Sequence, residues 1–333
     1  MQAFEEKDEL ARFFQRMRRI TPNGIIILMK SFYTSYYRFY RPKQREKKIF
    51  AISDIHFNDR VSGNLKAILR RAEQDEPSLI VITGDLVDDQ DALDTTAERA
   101  RLKAWLEHLG AVAPVCICLG NHDFFRRDDT RGRYYQDTSI LVEELANIPN
   151  VHLLNDSAYE DDDHYVFGLT LSPAYYGNDG SKCIESLEVL EQQIDAVKEQ
   201  FAKLSAKKTK LFLAHSPIFL NEPSIKQRLA AFDLVLAGHM HNGAVPPLLQ
   251  DLWRKKRGLF TPSKEFFKDY NSRIGLYGDQ LICLGAVTTI QPKTQFIGKL
   301  GALFPVYLAE ISIAHNTADE RKPDVKKKYE KFS

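Results

Sequence analysis

Five apolar, strand-like runs in this chain each end in a short motif of oxygen and imidazole side chains, and this recurrence constrains the fold more than any other feature. Five of the nine histidines lie in these motifs, so the histidines are concentrated rather than scattered. Such side chains on successive turns predict a dinuclear metal site. In chain order the motifs are Asp54-Ile55-His56, Gly84-Asp85, Gly120-Asn121-His122-Asp123, His215 and Gly238-His239-Met240-His241.

The first half of the chain alternates strand-like and helical patterns. Near-continuous apolar strands are predicted at 48–53, 79–83 and 115–119, with helices at 63–73 and 95–109 between them. This alternation is typical of a sheet that is covered on both faces. Functional groups of open α/β sheets gather at the carboxyl ends of the strands, so we expect the motifs to converge at one edge.

The second half continues with the same kinds of element and without an obvious internal repeat. Nothing between residues 46 and 313 reads as a linker, so we predict a single domain over this range. Predicted helices cover 139–148, 184–204 and 225–231, and predicted strands lie at 151–154, 165–169, 211–214, 234–237, 281–284 and 306–311.

Two flanking segments complete the predicted organisation of this chain of 333 residues. Residues 1–45 are predicted to be a helical, basic and aromatic extension, because apolar residues recur at helical spacing over 5–19. Residues 314–333, which include Lys326-Lys327-Lys328, are predicted to be a polar, frayed tail.

The segment 30–48 interleaves aromatic and basic side chains. One interpretation is a helix that packs its aromatic residues on the domain and solvates its charges. A second is peripheral contact with an anionic membrane surface, and a third is contact with nucleic acid. The aromatic residues are Phe32, Tyr33, Tyr36, Tyr37, Phe39 and Tyr40, and the basic residues are Arg38, Arg41, Lys43, Arg45, Lys47 and Lys48.

Charge and cysteine content narrow the cellular setting. The formal net charge is +1, which gives no overall electrostatic reason to expect nucleic acid as a partner and disfavours a nuclease. Cys116 and Cys118 lie two apart in an apolar run, which does not match a CxxC pair and favours buried free thiols. The first residues do not resemble a signal peptide. We therefore expect a cytoplasmic location, with peripheral contact at the inner face of the membrane through residues 1–45.

The ligand types limit the metal. The motifs offer aspartate, asparagine and imidazole but no cysteine, which excludes a thiolate structural zinc site. Such a set suits two divalent ions, with Mn²⁺ as the first choice and Fe²⁺ or Zn²⁺ as alternatives. A bridging ligand needs two anionic oxygens, so Asp85 is predicted to bridge. Two metals roughly 3.5–4 Å apart clamp the attacking and leaving oxygens of an in-line displacement at phosphorus.

The series D-x-H, G-D, G-N-H-D, H and G-H-x-H resembles that of the calcineurin-like metallophosphoesterases over about residues 48–313. The resemblance implies a four-layer α/β/β/α sandwich, in which two central mixed sheets are flanked by helices. It implies two ligand sets, namely Asp54, His56, Asp85 and His241 for one metal and Asp85, Asn121, His215 and His239 for the other. It also implies that His122 is the catalytic histidine, which stabilises the transition state or protonates the leaving oxygen.

Residues that follow the third motif are further candidates. Asp123 either orients the imidazole of His122 or braces the loop. Arg126 and Arg127 lie where they would meet a substrate phosphate, and solvated arginines are the alternative. The acidic run Glu160–Asp163 is predicted to be a solvated turn. Four histidines without partner ligands nearby in sequence are not expected to bind metal, namely His108, His152, His164 and His315.

Within the family, the chain resembles the bacterial membrane-associated phosphodiesterases, including enzymes similar to UDP-2,3-diacylglucosamine pyrophosphatase. An insertion at 242–274 and the following Gly275-Leu276-Tyr277 carry this likeness. It implies hydrolysis of a phosphodiester or pyrophosphate bond, by in-line attack of a hydroxide held by both metals, in a lipid-linked or nucleotide diphosphate substrate. The insertion either binds that substrate or packs as a cap near the site. The alternatives are a protein phosphatase or nuclease on the same core, and a binding scaffold without catalysis.

Overall fold

The computed structural model of the chain describes residues 31–41, 46–58, 62–128, 132–135, 138–171, 176, 184–217, 220, 222–244, 275–277, 279–287, 306–315 and 323–331. The helix predicted over 5–19 and residues 245–274 of the predicted insertion lie outside this part of the chain. None of the helices in it is long and apolar enough to cross a membrane.

The strands and helices predicted between residues 48 and 311 are confirmed within a few residues at their ends. The strands, numbered in chain order, are β1 (Ser31–Arg41), β2 (Lys47–Ile52), β3 (Leu79–Thr83), β4 (Val115–Cys118), β5 (Phe125–Asp128), β6 (Gly132–Tyr135), β7 (Val151–Leu154), β8 (Ser157–Glu160), β9 (His164–Leu169), β10 (Thr209–Ala214), β11 (Leu234–Ala237), β12 (Gly275–Tyr277), β13 (Leu281–Cys283), β14 (Val306–His315) and β15 (Asp324–Lys331). The helices are α1 (Ser62–Asp75), α2 (Thr96–Val112), α3 (Ser139–Leu145), α4 (Ile184–Glu199) and α5 (Pro223–Leu229).

The strands form two large mixed sheets and one hairpin. The first sheet has the strand order β15-β1-β14-β2-β3-β4-β7, and β2, β3, β4 and β7 are parallel to one another. The second sheet has the order β12-β13-β11-β10-β9-β8, and β9, β10, β11 and β13 are parallel. Strands β5 and β6 form a separate antiparallel hairpin. The parallel strands set all the candidate ligands at their carboxyl ends.

Three buried apolar clusters show how the layers stack. The first joins helices α1, α2 and α3 to the outer face of the first sheet, for example Ile68 and Leu106 with Ile80. The second lies between the two sheets, where Val81 meets Leu211. The third packs α4 and α5 on the second sheet, and its members include Ile194, Ile225 and Phe212. These layers confirm the predicted four-layer α/β/β/α sandwich.

Helix α2 illustrates how local sequence positions an outer layer. The Thr95 hydroxyl accepts the backbone N–H of Glu98 at 3.2 Å and donates to the Glu98 carboxylate at 2.8 Å. Thr95 and Glu98 together therefore cap the amino end of α2. Further along, the indole N–H of Trp105 donates to the Leu65 carbonyl at 3.0 Å, which fixes α2 against α1.

The prediction that the N-terminal extension is helical is wrong for residues 31–41, which form strand β1. This strand pairs in parallel with β14 and antiparallel with β15. Alternate residues Tyr33, Tyr37 and Phe39 are buried between the sheets, because a run of aromatic residues, serine and threonine suits a pleated surface better than a helix. Burial withdraws these three rings from any membrane surface, and membrane contact through the extension of residues 1–45 stays a prediction.

The prediction of a frayed C-terminal tail is wrong for residues 324–331, which form the edge strand β15. The Tyr40 hydroxyl donates to the Asp324 carboxylate at 2.6 Å and ties β15 to its neighbour. The run Lys326-Lys327-Lys328 therefore lies on a sheet edge, where lysine opposes pairing with other chains.

A partly buried polar cluster joins the two sheets at the amino ends of β2, β3 and β9. His164 Nδ1 lies 3.1 Å from both carboxylate oxygens of Asp161, and its Nε2 lies 3.4 Å from Ser78 Oγ. Lys47 Nζ lies 2.6 Å from the Asp163 carboxylate. These five residues are called the polar latch below. The acidic run is a turn between β8 and β9 as predicted, but the Asp161 side chain is only partly exposed and accepts the backbone N–H groups of Asp163 and His164.

Candidate metal centre

Each of the five motifs follows the carboxyl end of a strand, and the five ends meet at one edge of the sandwich. Asp54, Asp85 and Asn121 follow β2, β3 and β4 of the first sheet. His215 and His239 follow β10 and β11 of the second sheet. All five side chains are buried, so the structure brings together polar groups from both sheets in one enclosed site.

The backbone of the motifs is held in an unusual conformation. Among the described residues, eight that are not glycine have a positive φ, and five of these are candidate ligands. The left-handed conformation costs a residue with a Cβ roughly 1–2 kcal/mol, and such strain concentrates at functional sites. The five are Asp54 (φ 53°), His56 (φ 46°), Asp85 (φ 50°), His239 (φ 67°) and His241 (φ 41°).

Two glycines let the loops approach one another closely. A Cβ on Gly120 would collide with the carboxylate and the backbone N of Asp85. A Cβ on Gly238 would collide with the hydroxyl of Ser53 and lie 2.6 Å from Asp54 Oδ2. The glycines of the third and fifth motifs therefore set how closely the ligand-bearing loops pack.

The first ligand cluster combines residues from three motifs. Asp54, His56, Asp85 and His241 each offer one ligand atom, and these atoms lie within 4.8 Å of one another. His241 Nε2 lies 3.4 Å from His56 Nε2 and 3.4 Å from Asp54 Oδ1. His56 Nε2 lies 3.7 Å from Asp85 Oδ2. The four atoms surround a space of the size that one cation occupies.

The second cluster shares Asp85 with the first. Asp85, His215 and His239 also offer atoms within 4.8 Å of one another. His215 Nε2 lies 3.1 Å from Asp85 Oδ2 and 3.2 Å from His239 Nδ1. His215 Nδ1 lies 2.7 Å from the Thr83 carbonyl oxygen, which fixes the ring and presents its Nε2 to the cluster. Asp85 Oδ2 thus lies between the two clusters.

Three buried oxygens have the surroundings expected of metal ligands. Asp54 Oδ2 accepts from Ser53 Oγ at 2.5 Å, and Asp85 Oδ1 accepts from the backbone N–H of His122 at 2.7 Å. The oxygens Asp54 Oδ1, Asp85 Oδ2 and Asn121 Oδ1 accept no aligned hydrogen bond from any described residue. A buried acceptor left in this way costs roughly 1–3 kcal/mol. Divalent cations would satisfy these oxygens, so the residues present fit the metal centre that the motifs predict.

The charge balance of the site is set by a buried pair. Burial alone would lower the pKa of His215, but the Asp85 and Asp54 carboxylates outweigh it and raise this pKa to about 9. Burial would raise the pKa of Asp85, and the nearby His215 and His122 imidazoles instead hold it well below its usual value. The pair of Asp85 and His215 therefore retains a proton, and a cation held by these two side chains would take the place of that proton.

The other three histidines of the clusters are neutral. Burial is the largest cause that lowers the pKa of each imidazole, and repulsion from neighbouring histidines adds to it. Neutral imidazole is the form that binds a metal. These residues are His56, His239 and His241.

His122 lies beside the first cluster. Its ring meets that of His56 edge to face at 4.6 Å, and Phe125 packs against its other side at 5.4 Å. His122 Nδ1 lies 2.6 Å from the carbonyl oxygen of Asp88 and 3.7 Å from its carboxylate. A carbonyl oxygen only accepts, so Nδ1 of His122 carries the hydrogen in this contact and Nε2 is the ring nitrogen left for other contacts.

Comparison with known proteins decides the family. The sequence profile of the calcineurin-like phosphoesterases matches residues 47–243, which contain all five motifs. This chain belongs to the calcineurin-like phosphoesterase family. An uncharacterised metallophosphoesterase of Campylobacter jejuni is 23% identical over 211 residues, which are 62% of this chain and 47% of that protein. The match thus spans about half the length of this curated relative.

Three solved structures are similar to this phosphoesterase family member, each at low sequence identity. TT1561 of Thermus thermophilus has a TM-score of 0.39 at 16% identity and covers 58% of this chain and 81% of its own. The phosphopantetheinyl hydrolase of Mycobacterium tuberculosis has a TM-score of 0.36 at 14% identity, over 59% and 83%. A dimetal phosphatase of Danio rerio has a TM-score of 0.41 at 14% identity, over 74% and 88%.

Asp123 braces the loops of this phosphoesterase centre. Its carboxylate accepts the backbone N–H of Gly120 at 2.8 Å and that of Val87 at 3.1 Å. Burial and the nearby Asp85 raise its pKa to about 7. Of the two roles left open by the sequence, the structure favours bracing, because the Asp123 carboxylate joins the loops after β3 and β4.

The two candidate arginines lie on the β5–β6 hairpin next to His122. Arg126 Nε lies 3.4 Å from Asp91, and its terminal nitrogen lies 3.5 Å from Asp94. Arg127 lies opposite Arg133 in the register of the hairpin. Ion pairs thus anchor the hairpin through Arg126, and a substrate-binding role for either Arg126 or Arg127 stays a prediction.

Sequence reasoning missed two residues of the site. Asp88 holds His122, and its carboxylate also lies 3.7 Å from Nδ1 of His56. The sequence did offer one signal for Asp88, namely that its carboxylate lies only three residues after Asp85 on the same loop. Tyr176 packs against His215 and His239, and no local pattern in the sequence marked it.

Proposed function

We propose that this protein is a metal-dependent phosphoesterase that hydrolyses a phosphodiester or pyrophosphate bond. The observation that carries the proposal is the pair of ligand clusters that share Asp85, with the ring of His122 beside them at 4.6 Å from that of His56. His122 also forms a third group with His56 and Asp88, whose ligand atoms lie within 4.8 Å of one another, and we assign His122 to the chemistry because it occupies the family's catalytic position. A site that only stored metal would not require an oriented histidine next to the clusters. Membership of the calcineurin-like phosphoesterase family supports the same reading.

The residues divide into holding and reacting groups. Two divalent ions, when bound, would supply the positive charge that activates water and stabilises the transferred phosphoryl group. The first set that would hold them is Asp54, His56, Asp85 and His241, and the second is Asp85, Asn121, His215 and His239. His122, oriented through Nδ1 by Asp88, donates a hydrogen bond or a proton to the leaving oxygen. Asp123 keeps the two loops in register.

Mn²⁺ is the proposed metal, and Fe²⁺ and Zn²⁺ are the alternatives. The clusters combine carboxylate and amide oxygens with imidazole nitrogens. This mixture of ligands, without any thiolate, suits manganese and iron as well as zinc.

For the substrate, we propose a lipid-linked or nucleotide diphosphate rather than nucleic acid. The support is the near-neutral net charge of +1 and the apolar and basic composition of residues 242–274. A cytoplasmic protein with peripheral membrane contact through the extension of residues 1–45 would meet such substrates. A panel of nucleotide diphosphate lipids, cyclic nucleotides and monoesters, assayed with Mn²⁺, would separate these classes.

The proposal is tested with a generic aryl phosphodiester and the full chain loaded with Mn²⁺. We expect His122→Ala to lower kcat by roughly 100- to 10,000-fold, as for the loss of a general acid. The exposed helix residue His108 offers a matched control, so His108→Ala should retain wild-type turnover. Wild-type turnover in a folded, metal-verified His122→Ala variant would contradict the proposed mechanism. No turnover by the wild type on any phosphoester of the panel would contradict the function itself.

A further inference from the structure

Tyr176 lies against the second cluster of the metal centre. It follows β9, the neighbour of β10 in the second sheet. Of residues 172–183, the structure describes Tyr176 alone. The carboxyl ends of β9 and β10 lie at the same edge of the second sheet, and Tyr176 lies near His215 there. Tyr176 thus comes from a sixth strand end that carries none of the five motifs.

The ring of Tyr176 contacts both histidines of the second cluster. Its centroid lies 5.1 Å from that of His239 at an interplanar angle of 66°, and 6.0 Å from that of His215 at 49°. The two imidazoles lie 5.0 Å from each other at 67°. The three rings form a wall along one side of the site.

The hydroxyl end of Tyr176 is the end that enters the protein. The residue as a whole is half-buried, yet its phenolic oxygen is buried. The ring therefore enters the protein with its hydroxyl end first, and its centroid lies within 6.0 Å of those of His215 and His239. A phenol hydroxyl carries a hydrogen that it can donate to an acceptor oxygen.

Tyr176 and His122 flank the two clusters from different sides. His122 packs on His56 of the first cluster, and Tyr176 packs on His239 of the second. A phosphoryl group that spans both clusters would therefore have one polar donor on each side. Donors aimed at developing negative charge in an enclosed site have large effects on rate.

We infer that Tyr176 is a further substrate-contacting residue, whose hydroxyl donates a hydrogen bond to a phosphoryl oxygen on the side of His215 and His239. This inference rests on the proposed phosphoesterase function. The competing explanation is that the ring only packs against the two histidines and keeps them in place. Removal of the hydroxyl alone distinguishes the two, because Tyr176→Phe keeps the ring.

The test measures Mn²⁺ content and the affinity for inorganic phosphate, the simplest phosphoryl ligand, on the full chain. For Tyr176→Phe we expect the wild-type Mn²⁺ content and phosphate binding weakened roughly 10- to 100-fold, as for a lost hydrogen bond to a charged group. Tyr176→Ala should in addition weaken Mn²⁺ binding, since it removes the ring as well. The matched control is Tyr165→Phe, which removes a hydroxyl bonded to Gln200 at the far end of β9 and should change neither quantity.

Three outcomes would overturn the inference. Equal phosphate affinity in Tyr176→Phe and the wild type shows that the hydroxyl makes no contact with the phosphoryl group. Loss of Mn²⁺ from Tyr176→Phe shows that the residue acts through the ligands. A wild-type protein that binds Mn²⁺ but neither binds phosphate nor hydrolyses any phosphoester overturns the proposed function together with this inference.

Discussion

The two ends of the sandwich are built from the same residue types but differ in how their polar atoms are satisfied. At the amino ends of the strands, the polar latch pairs its groups with one another. Asp161 accepts from His164 and from two backbone N–H groups, and Lys47 is paired with Asp163. At the carboxyl ends, the oxygens of Asp54 and Asp85 that face the clusters accept no aligned hydrogen bond from the described residues.

This difference separates a structural polar cluster from a functional one. Burial of histidine and aspartate occurs at both ends, so burial alone does not identify the active site. Two further features distinguish the metal centre. Its ligands have a left-handed backbone conformation, and its carboxylate oxygens accept no aligned hydrogen bond from the described residues and are free to bind a cation. The metal centre at the carboxyl ends costs stability, whereas the paired groups of the polar latch at the amino ends contribute it. Proteins commonly accept such a cost at functional sites.

The largest effect within this comparison is expected at Asp88, which links the metal centre to His122. Its carboxylate lies 3.7 Å from Nδ1 of both His56 and His122. Loss of an outer-shell partner of this kind typically costs roughly 10- to 100-fold in activity or metal affinity. We therefore expect Asp88→Ala to lower kcat by such a factor in an aryl phosphodiester assay with Mn²⁺. The surface variant Asp195→Ala is the control. Asp88→Ala keeps the backbone carbonyl that holds His122, so equal activity of both variants would remove only the Asp88 carboxylate from the mechanism.

The next effect concerns the polar latch and should appear in stability rather than in turnover. Asp161→Ala leaves the imidazole of His164 and two backbone N–H groups without their acceptor. We expect the free energy of unfolding in urea to fall by about 2 kcal/mol, with kcat unchanged. Asp195→Ala breaks exposed ion pairs and should cost less than about 1 kcal/mol. A latch variant that loses turnover but not stability would reverse the contrast between the two ends.

The smallest effect is the pH dependence that the latch adds. Burial lowers the pKa of His164, and the hydrogen bond to Asp161 only partly opposes this shift. The unfolded chain takes up this proton near pH 6.5, whereas the folded chain resists it. The stability from neutral His164 is therefore present above about pH 6.5 and is lost as the pH falls below it.

The measurement is the unfolding free energy of the wild type and of His164→Asn between pH 8 and pH 5. The difference in unfolding free energy between the wild type and His164→Asn should become smaller as the pH falls, by at most about 1.4 kcal/mol per pH unit. A difference that stays constant over this range would show that His164 titrates alike in both states.

The sequence predicted the parts of the fold and site that depend on local pattern. Apolar runs bounded by turn residues located the central strands, and their ends located the candidate ligands from Asp54 to His241. Parallel pairing then accounts for the convergence, because it places all carboxyl ends at one edge. The four-layer arrangement came from resemblance to a family rather than from the pattern itself.

The remaining features depend on contacts between distant parts of the chain. Strand β1 pairs with β14 and β15, which lie nearly 300 residues further along, so its local pattern was open to a helical interpretation. The latch joins Ser78 to His164, and its acidic run alone indicated only a solvated turn. Tyr176 carried no signal, because only the fold places it beside His239.

The central claim is that Asp85 serves two metals at once. A calorimetric titration of the metal-free full chain with Mn²⁺ tests it most directly, with Asp85→Asn compared against the wild type and against Asp195→Asn. The account predicts two Mn²⁺ per chain for the wild type and for Asp195→Asn, and loss or strong weakening of both sites in Asp85→Asn. Two sites of unchanged affinity in a folded Asp85→Asn variant, or a single site in the wild type, would contradict it.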